Sequence, residues 1–534
     1  MTPRRKMPRL IVALIASMTA MAANAQAPGV RPQIVVGIVI DGLDYQYVDL
    51  LRGQFGNGGF NRLLSEGVVL ANVDYGTNVD VTAATAMLVT GAAPSATAIT
   101  GAMTYNRETM RADWSLLDPE MRGTYTTQTL SPRPLVVGTL SDEVRIAGSG
   151  IARVYGVAAD AQQAVLLAGH SANCALWINP ENGNWSSSSY YTDVPSFVGK
   201  RNRSESLNLR LDTVQWTPLK SPEAYSCLPA HVTQYPFRYI FARGAQDRWV
   251  KFMSSPIVNA EVTDMAGRLV TEQKLGHSGS LDMISVAYTL QPYDYTVRDD
   301  NRYELIDAYL RLDNNLEQLI STVENCVGGG HALFFVAATP PAGRSRRDDP
   351  AWGIPYGEFS TNKAKSLLNM YLMATYGNGD WIDSYHNGQF YLNHKLIESL
   401  SLDPTDVRVK AAQFLTRMSG VDRVYTCDEI LQARGTEYVA MLRRNSHPTS
   451  LGDLLVEVSP GWEVVDDIIS PASESRIHYV RRIATATAPV IILAPGVDSR
   501  VIDTPIDVRA ITPTVARLLR IRSPNGAAMP PMVF

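Results

Sequence analysis

Apolar residues in this chain fall into long unbroken runs separated by polar, turn-forming stretches. The run Ile34-Val35-Val36-Gly37-Ile38-Val39-Ile40 ends in Asp41-Gly42, and a β-branched segment with no polar alternation predicts a central parallel strand buried on both faces. Similar runs at Leu333 to Ala338 and at Pro489 to Leu493 predict two more strands. Helical spacing of apolar residues predicts helices over Ala83 to Leu88, from Ile306 through Ile320, over Lys363 to Ala374, and at the C-terminus after Ala494-Pro495-Gly496. The block Tyr385 to Asn393 predicts a turn followed by a strand. Strand and helix alternate from Pro32 to about Ala172. This predicts an α/β fold: a doubly wound, mostly parallel central sheet flanked by helices. From about Trp177 to Ala287 the text turns polar and irregular, and from about Tyr356 to Asp466 a second stretch holds the helix and the turn-strand block just named. These two stretches are predicted insertions (177–287 and 356–466) in one domain spanning 26–534, with the core resuming at Ile306.

The N-terminus changes the picture. Arg4-Arg5-Lys6 precede an apolar stretch from Leu10 to Ala23, and Ala23-Asn24-Ala25 has the form of a cleavage site. Residues 1–25 therefore predict a signal peptide, and a mature protein that is periplasmic or secreted. The apolar run is too short to span a bilayer, and no other stretch reaches spanning length, so an integral membrane protein is not expected. Residues 1–25 carry four cations and no acid, so their removal takes the formal charge from −4 to −8. An acidic mature chain argues against nucleic acid as a partner. Four cysteines, Cys174, Cys227, Cys326 and Cys427, permit two bridges in an oxidising compartment, with three connectivities, or buried thiols. Their wide spacing matches no zinc motif.

Several collinear blocks carry the candidate chemistry. After Asp41 come Gly58-Gly59-Phe60-Asn61-Arg62, Thr90-Gly91-Ala92-Ala93-Pro94, Ser131-Pro132-Arg133, Ala168-Gly169-His170-Ser171-Ala172-Asn173 and Ile511-Thr512-Pro513-Thr514. Together they resemble the alkaline phosphatase superfamily, in particular its secreted or periplasmic phosphate-irrepressible phosphatases. The resemblance implies two zinc ions, a Thr or Ser nucleophile opening a helix, and hydrolysis of phosphate esters. Transferred residue by residue, it places the first zinc ligand on Asp41. The nucleophile of a Thr-x-x-x-His pattern falls on Val81 and its His on Thr85, with Thr82 the nearest hydroxyl. An Asp-Tyr-x-Gly-His cluster falls on Pro292 to Thr296, with Pro292 at the Asp and Thr296 at the His; using Asp294 instead puts Arg298 at the His. The Ala-Asp-His-Gly cluster falls on Thr339-Pro340-Pro341, and the last His on Thr487-Ala488-Pro489, with His478 nine residues earlier. Of six expected carboxylate and imidazole ligands, Asp41 alone stands, too few to hold catalytic zinc.

The same residues have plainer readings. Asp41-Gly42 after a strand is a turn signal. Thr82 reads as the N-cap of the helix that follows. Arg133 matches a phosphate-contacting position, for which its guanidinium suits, or is a solvated loop residue. His170 reads as a buried, hydrogen-bonded structural histidine. The expectation is an exported, catalytically inactive pseudophosphatase that binds a small anion or an envelope protein and carries no cofactor, with Asp41 a vestigial ligand. The alternative is an active metal-dependent phosphomonoesterase or phosphodiesterase with a rearranged site, drawing on zinc, Asp41, Asp294, Asp299, Asp300 and His478. A structural role in a cell-envelope assembly is the third class.

Overall fold

The structure, a computed structural model, describes residues 31–77, 79–221, 225, 237–290, 301–340, 357–432, 436–469, 476–479 and 487–534. The expected signal segment 1–25, Cys227 and the stretch Pro292 to Asp300 lie outside them.

Eleven strands form the main sheet: β1 (Ile34–Asp41), β2 (Val68–Asp74), β3 (Gly123–Thr124), β4 (Val154–Val157), β5 (Cys174–Ile178), β6 (Trp185–Ser188), β7 (Asp282–Thr289), β8 (Ala332–Thr339), β9 (Thr487–Leu493), β10 (Arg500–Ile502) and β11 (Ile506–Asp507). Their order is β10-β2-β9-β8-β1-β7-β4-β5-β6-β3, with β11 also paired to β2. β1 pairs in parallel with both β7 and β8, so Asp41 lies in register with Thr289 on one side and Thr339 on the other. β9 runs antiparallel between β8 and β2, and β6 antiparallel to β5. The sheet is thus mixed but mostly parallel. Every residue of β1 and β8 is buried, as their unbroken apolar text requires. Helices α1 (Val81–Thr90), α2 (Leu140–Ala147), α3 (Ala161–Ala168), α4 (Ile257–Glu272) and α5 (Arg302–Val327) bury apolar faces in the large core around it.

Two details differ from the sequence reading. The main sheet does not pause from 177 to 287: Trp177 and Trp185–Ser188 belong to its strands, and β7, at its centre, begins at Asp282, well before Ile306. The segment Asp282-Met283-Ile284-Ser285-Val286-Ala287, its apolar text broken by Ser285, is a strand buried on both faces because its neighbours accommodate that small polar residue. The N-cap of α1 is Asp80, not Thr82; Asp80 Oδ1 accepts from Ala83 N at 2.9 Å, a carboxylate being a strong cap, and Thr82 sits inside the first turn.

The segment 357–458 carries its own small sheet of Ile382–His386, Gln389–Leu392, Leu454–Val458 and Val421–Thr426, packed under helices Thr361–Tyr376 and Pro404–Leu415. The hairpin between its first two strands turns at Asn387-Gly388, both at positive φ (46° and 79°), which this residue pair tolerates best. Cys174, Cys326 and Cys427 are free thiols, so the described residues hold no disulfide. Among them, no helix is long and apolar enough to cross a membrane.

Candidate functional site at the carboxyl edge of the sheet

Open α/β sheets place their sites beyond the carboxyl ends of parallel strands, and here β1 delivers Asp41 to that edge. The residue is 5% exposed. Its Oδ2 accepts from Gln163 Nε2 at 2.7 Å, and its Oδ1 accepts from Thr339 Oγ1 at 3.1 Å. Gln163 comes from the first turn of α3, and Thr339 from the neighbouring end of β8, in the position where the resemblance expects an acidic ligand. A neutral hydroxyl thus stands in register beside Asp41 and donates to it. Burial outweighs these two donors and pushes the Asp41 carboxyl up to about 7.

Two further carboxylates share the edge, and the sequence reading had not singled them out. Asp80 caps α1 and accepts from the backbone N–H of Ala83 (2.9 Å) and Ala102 (2.6 Å), as well as Thr82. Asp160 follows β4, caps α3, and accepts from Gln163 N at 2.9 Å. Both residues are solvent-accessible, yet protein surrounds them closely enough that desolvation raises both carboxyls; the Asp80 charge raises Asp160 further, His386 works against the rise at Asp80, and both carboxylates act on Asp41. The signal for them was present in the sequence as an Asp between a strand end and an apolar helix start. Tyr75, which donates to Ala338 O at 2.7 Å, closes the edge beside Asp41, whose charge together with burial raises the Tyr75 phenol.

Thr82 is 4% exposed in the first turn of α1, and its hydroxyl makes no hydrogen bond among the described residues. Thr85, at the expected His position, turns its hydroxyl back to Val81 O at 2.8 Å. Arg133 is drawn elsewhere: it pairs with Glu120 at 2.6 Å and Asp118 at 3.6 Å and remains half exposed. His170 is held between Asp142 Oδ2 (3.0 Å) and Leu135 O (2.9 Å); burial works against its charge, but Asp142 prevails and raises the imidazole. His478 lies in the strand Arg476–Tyr479, with its backbone opposite Val465.

The fold and this edge define an alkaline-phosphatase-type scaffold, and the comparisons agree. Residues 35–480 match the family of type I phosphodiesterases and nucleotide pyrophosphatases, to which the chain belongs. The alkaline phosphatase PafA of Elizabethkingia meningoseptica is 26% identical, over 94% of each chain. The alkaline phosphatase PhoV of Synechococcus elongatus is 26% identical over 93% of this chain and 92% of its own. The crystal structure of wild-type PafA superposes with a TM-score of 0.82 at 25% identity, covering 94% of this chain and 98% of that one.

These matches correct the expectation of a protein without a cofactor. Along nearly its whole length the chain follows alkaline phosphatases, for which the resemblance implies zinc, so the expectation of no cofactor does not stand. The described residues do not complete a site for it. Both oxygens of Asp41 are engaged by Gln163 and Thr339, and among the described residues no three of His, Cys, Asp and Glu group so as to hold a metal ion. Residues 291–300, where the second ligand cluster would fall, lie outside that description.

Proposed function

We propose that this chain is an exported cell-envelope member of the family that uses the phosphatase scaffold for binding and does not turn over phosphate esters. One observation carries the reading. Three carboxylates, Asp41, Asp80 and Asp160, share the carboxyl edge closely enough that the latter two act on Asp41, and two of them cap the helices α1 and α3 that start there. A helix start attracts anions through unpaired N–H groups and its dipole. Here those groups are consumed internally, and a second negative charge meets repulsion. On this reading Asp41 is a vestigial ligand, Thr82 a helix-start hydroxyl with no hydrogen-bond partner among the described residues, and Arg133 a loop cation held by acids. The N-terminal segment 1–25 supports export. An envelope protein suits this chain as a partner better than a small anion does.

A second reading is favoured by the near-complete alignment with alkaline phosphatases. In it the protein is a metal-dependent phosphoric ester hydrolase, with zinc held by Asp41 and donors from the segment containing Asp294, Asp299 and Asp300, and with Thr82 as nucleophile.

Titration with inorganic phosphate separates the two. The first reading expects no saturable binding by the wild type up to about 10 mM, and gain of binding in the double variant Asp80→Ser, Asp160→Ser, which keeps a capping hydroxyl on each helix while removing two charges. Tight phosphate binding by the wild type would support the second.

A further inference from the structure

At the opposite, amino edge of the sheet, Arg153 precedes β4 and donates to the carbonyls of Gln273 and Lys274, just past the end of α4. The space between the strand start and this helix end is a cavity of about 340 Å³, lined by Arg153, Tyr155, Asn173, Asp193, Glu272 and Lys274 among others. Its walls are predominantly polar, which suits a small polar ligand and gives little to an apolar one.

Tyr155 marks this cavity as more than a surface dent. The residue is 1% exposed, yet among the described residues its hydroxyl makes no hydrogen bond, and it faces the cavity. The hydroxyl oxygen is not among the fully buried, unpartnered atoms, so it stays accessible to whatever enters the cavity. Around it the Lys274 ammonium and the Glu272 carboxylate take part in no ion pair among the described residues. Asp193 accepts one hydrogen bond, from Asn173 Nδ2 at 2.9 Å. A simple anion here would be attracted by Arg153 and Lys274 but repelled by Asp193 and Glu272, and a simple cation the reverse. A ligand carrying both charges satisfies both sets, with the Tyr155 hydroxyl left to bond either end.

We propose that this amino-edge cavity is a binding site for a small zwitterion of the α-amino acid class. It is separate from the edge that carries Asp41 and does not depend on whether that edge is catalytic.

The test is calorimetric titration of the mature full-length protein with glycine and L-glutamine, and with sodium acetate and methylammonium chloride as half-ligands. Saturable binding of the amino acids is expected, with each half-ligand at least about tenfold weaker because it meets uncompensated charge. Tyr155→Phe removes a hydroxyl with no internal partner, so the variant should fold as the wild type and bind about three- to tenfold more weakly. Lys274→Gln and Asp193→Asn should each weaken binding by about tenfold or more. The proposal is overturned by no saturable binding up to about 10 mM, by half-ligands that bind as well as the amino acids, or by an affinity that Tyr155→Phe leaves unchanged.

Discussion

Asp41 stands at the end of β1 where the resemblance places a zinc ligand, and burial pushes its carboxyl up to about 7 against the two donors it accepts from, Gln163 and Thr339. The same shift predicts a pH dependence of stability. In the unfolded chain the group ionises near its ordinary value of 3.8, while the folded protein keeps the proton up to about 7. Between those values the folded state binds more protons, so stability falls as pH rises through that window. Asp41→Asn carries no such penalty. It should be more stable than wild type by about 2–4 kcal/mol at pH 8, with the difference vanishing toward pH 4, measured by urea unfolding at both pH values. An equal difference at both would show that Asp41 is charged in the fold throughout. The identity of Asp41 was legible from its strand and its Gly42. Its two partners were not, because Gln163 and Thr339 lie 122 and 298 residues away in sequence and meet it only through the sheet register.

At the level of elements, period and turn chemistry revealed most of what the fold contains. The unbroken runs became β1, β8 and β9, the helical spacing near Ile306 became the long α5, and the Asn387-Gly388 turn became a hairpin. The start of α1 was misread because both Asp80 and Thr82 are capping residue types two positions apart, and only the hydrogen bond to Ala83 N decides between them. β7 was missed because Ser285 breaks its apolar text. That serine stands in register with Gly37, and a Cβ at Gly37 would meet Phe335 Cζ at 2.7 Å and Ser285 Oγ at 3.1 Å. The central strand is therefore packed to glycine size at this point. Gly37→Ala should cost about 1–3 kcal/mol through overpacking, read as a lowered urea midpoint with an unchanged slope. A neutral outcome would mean that Phe335 can swing aside without cost.

For the whole molecule, the inserted unit is fastened to the core through a buried carboxylate that no motif announced. Asp453, 1% exposed, receives Arg107 from the core hairpin Met103–Trp114 at 2.9 Å, Arg408 at 3.4 Å, His394 at 2.7 Å and the Leu392 N–H at 2.8 Å. Arg107 also lies over the Tyr391 ring, 5.0 Å from its centre. Burial opposes the Asp453 charge, but His394 and Arg107 hold its carboxyl below the ordinary range. Asp453→Asn would leave two guanidinium groups around a neutral amide. It should cost about 3 kcal/mol and speed proteolytic release of residues 357–469 relative to the core; coincident loss of core and insertion would instead show a single cooperative unit. Such a fastening depends on residues brought together from distant segments, which is why no motif in the sequence announced it.

The scaffold thus follows alkaline phosphatases over nearly its whole length, and the carboxyl edge of its sheet holds Asp41, Asp80 and Asp160 with the neutral donors Gln163 and Thr339. Fold fixes where a site lies, and the side chains there decide what it does. The decisive measurement is hydrolysis of p-nitrophenyl phosphate and bis-p-nitrophenyl phosphate by the mature protein supplied with saturating zinc, alongside Asp41→Ala and Thr82→Ala. The account predicts no turnover above the buffer rate and no difference among the three proteins. Turnover by the wild type that both substitutions abolish would contradict it and establish a working hydrolase at this edge.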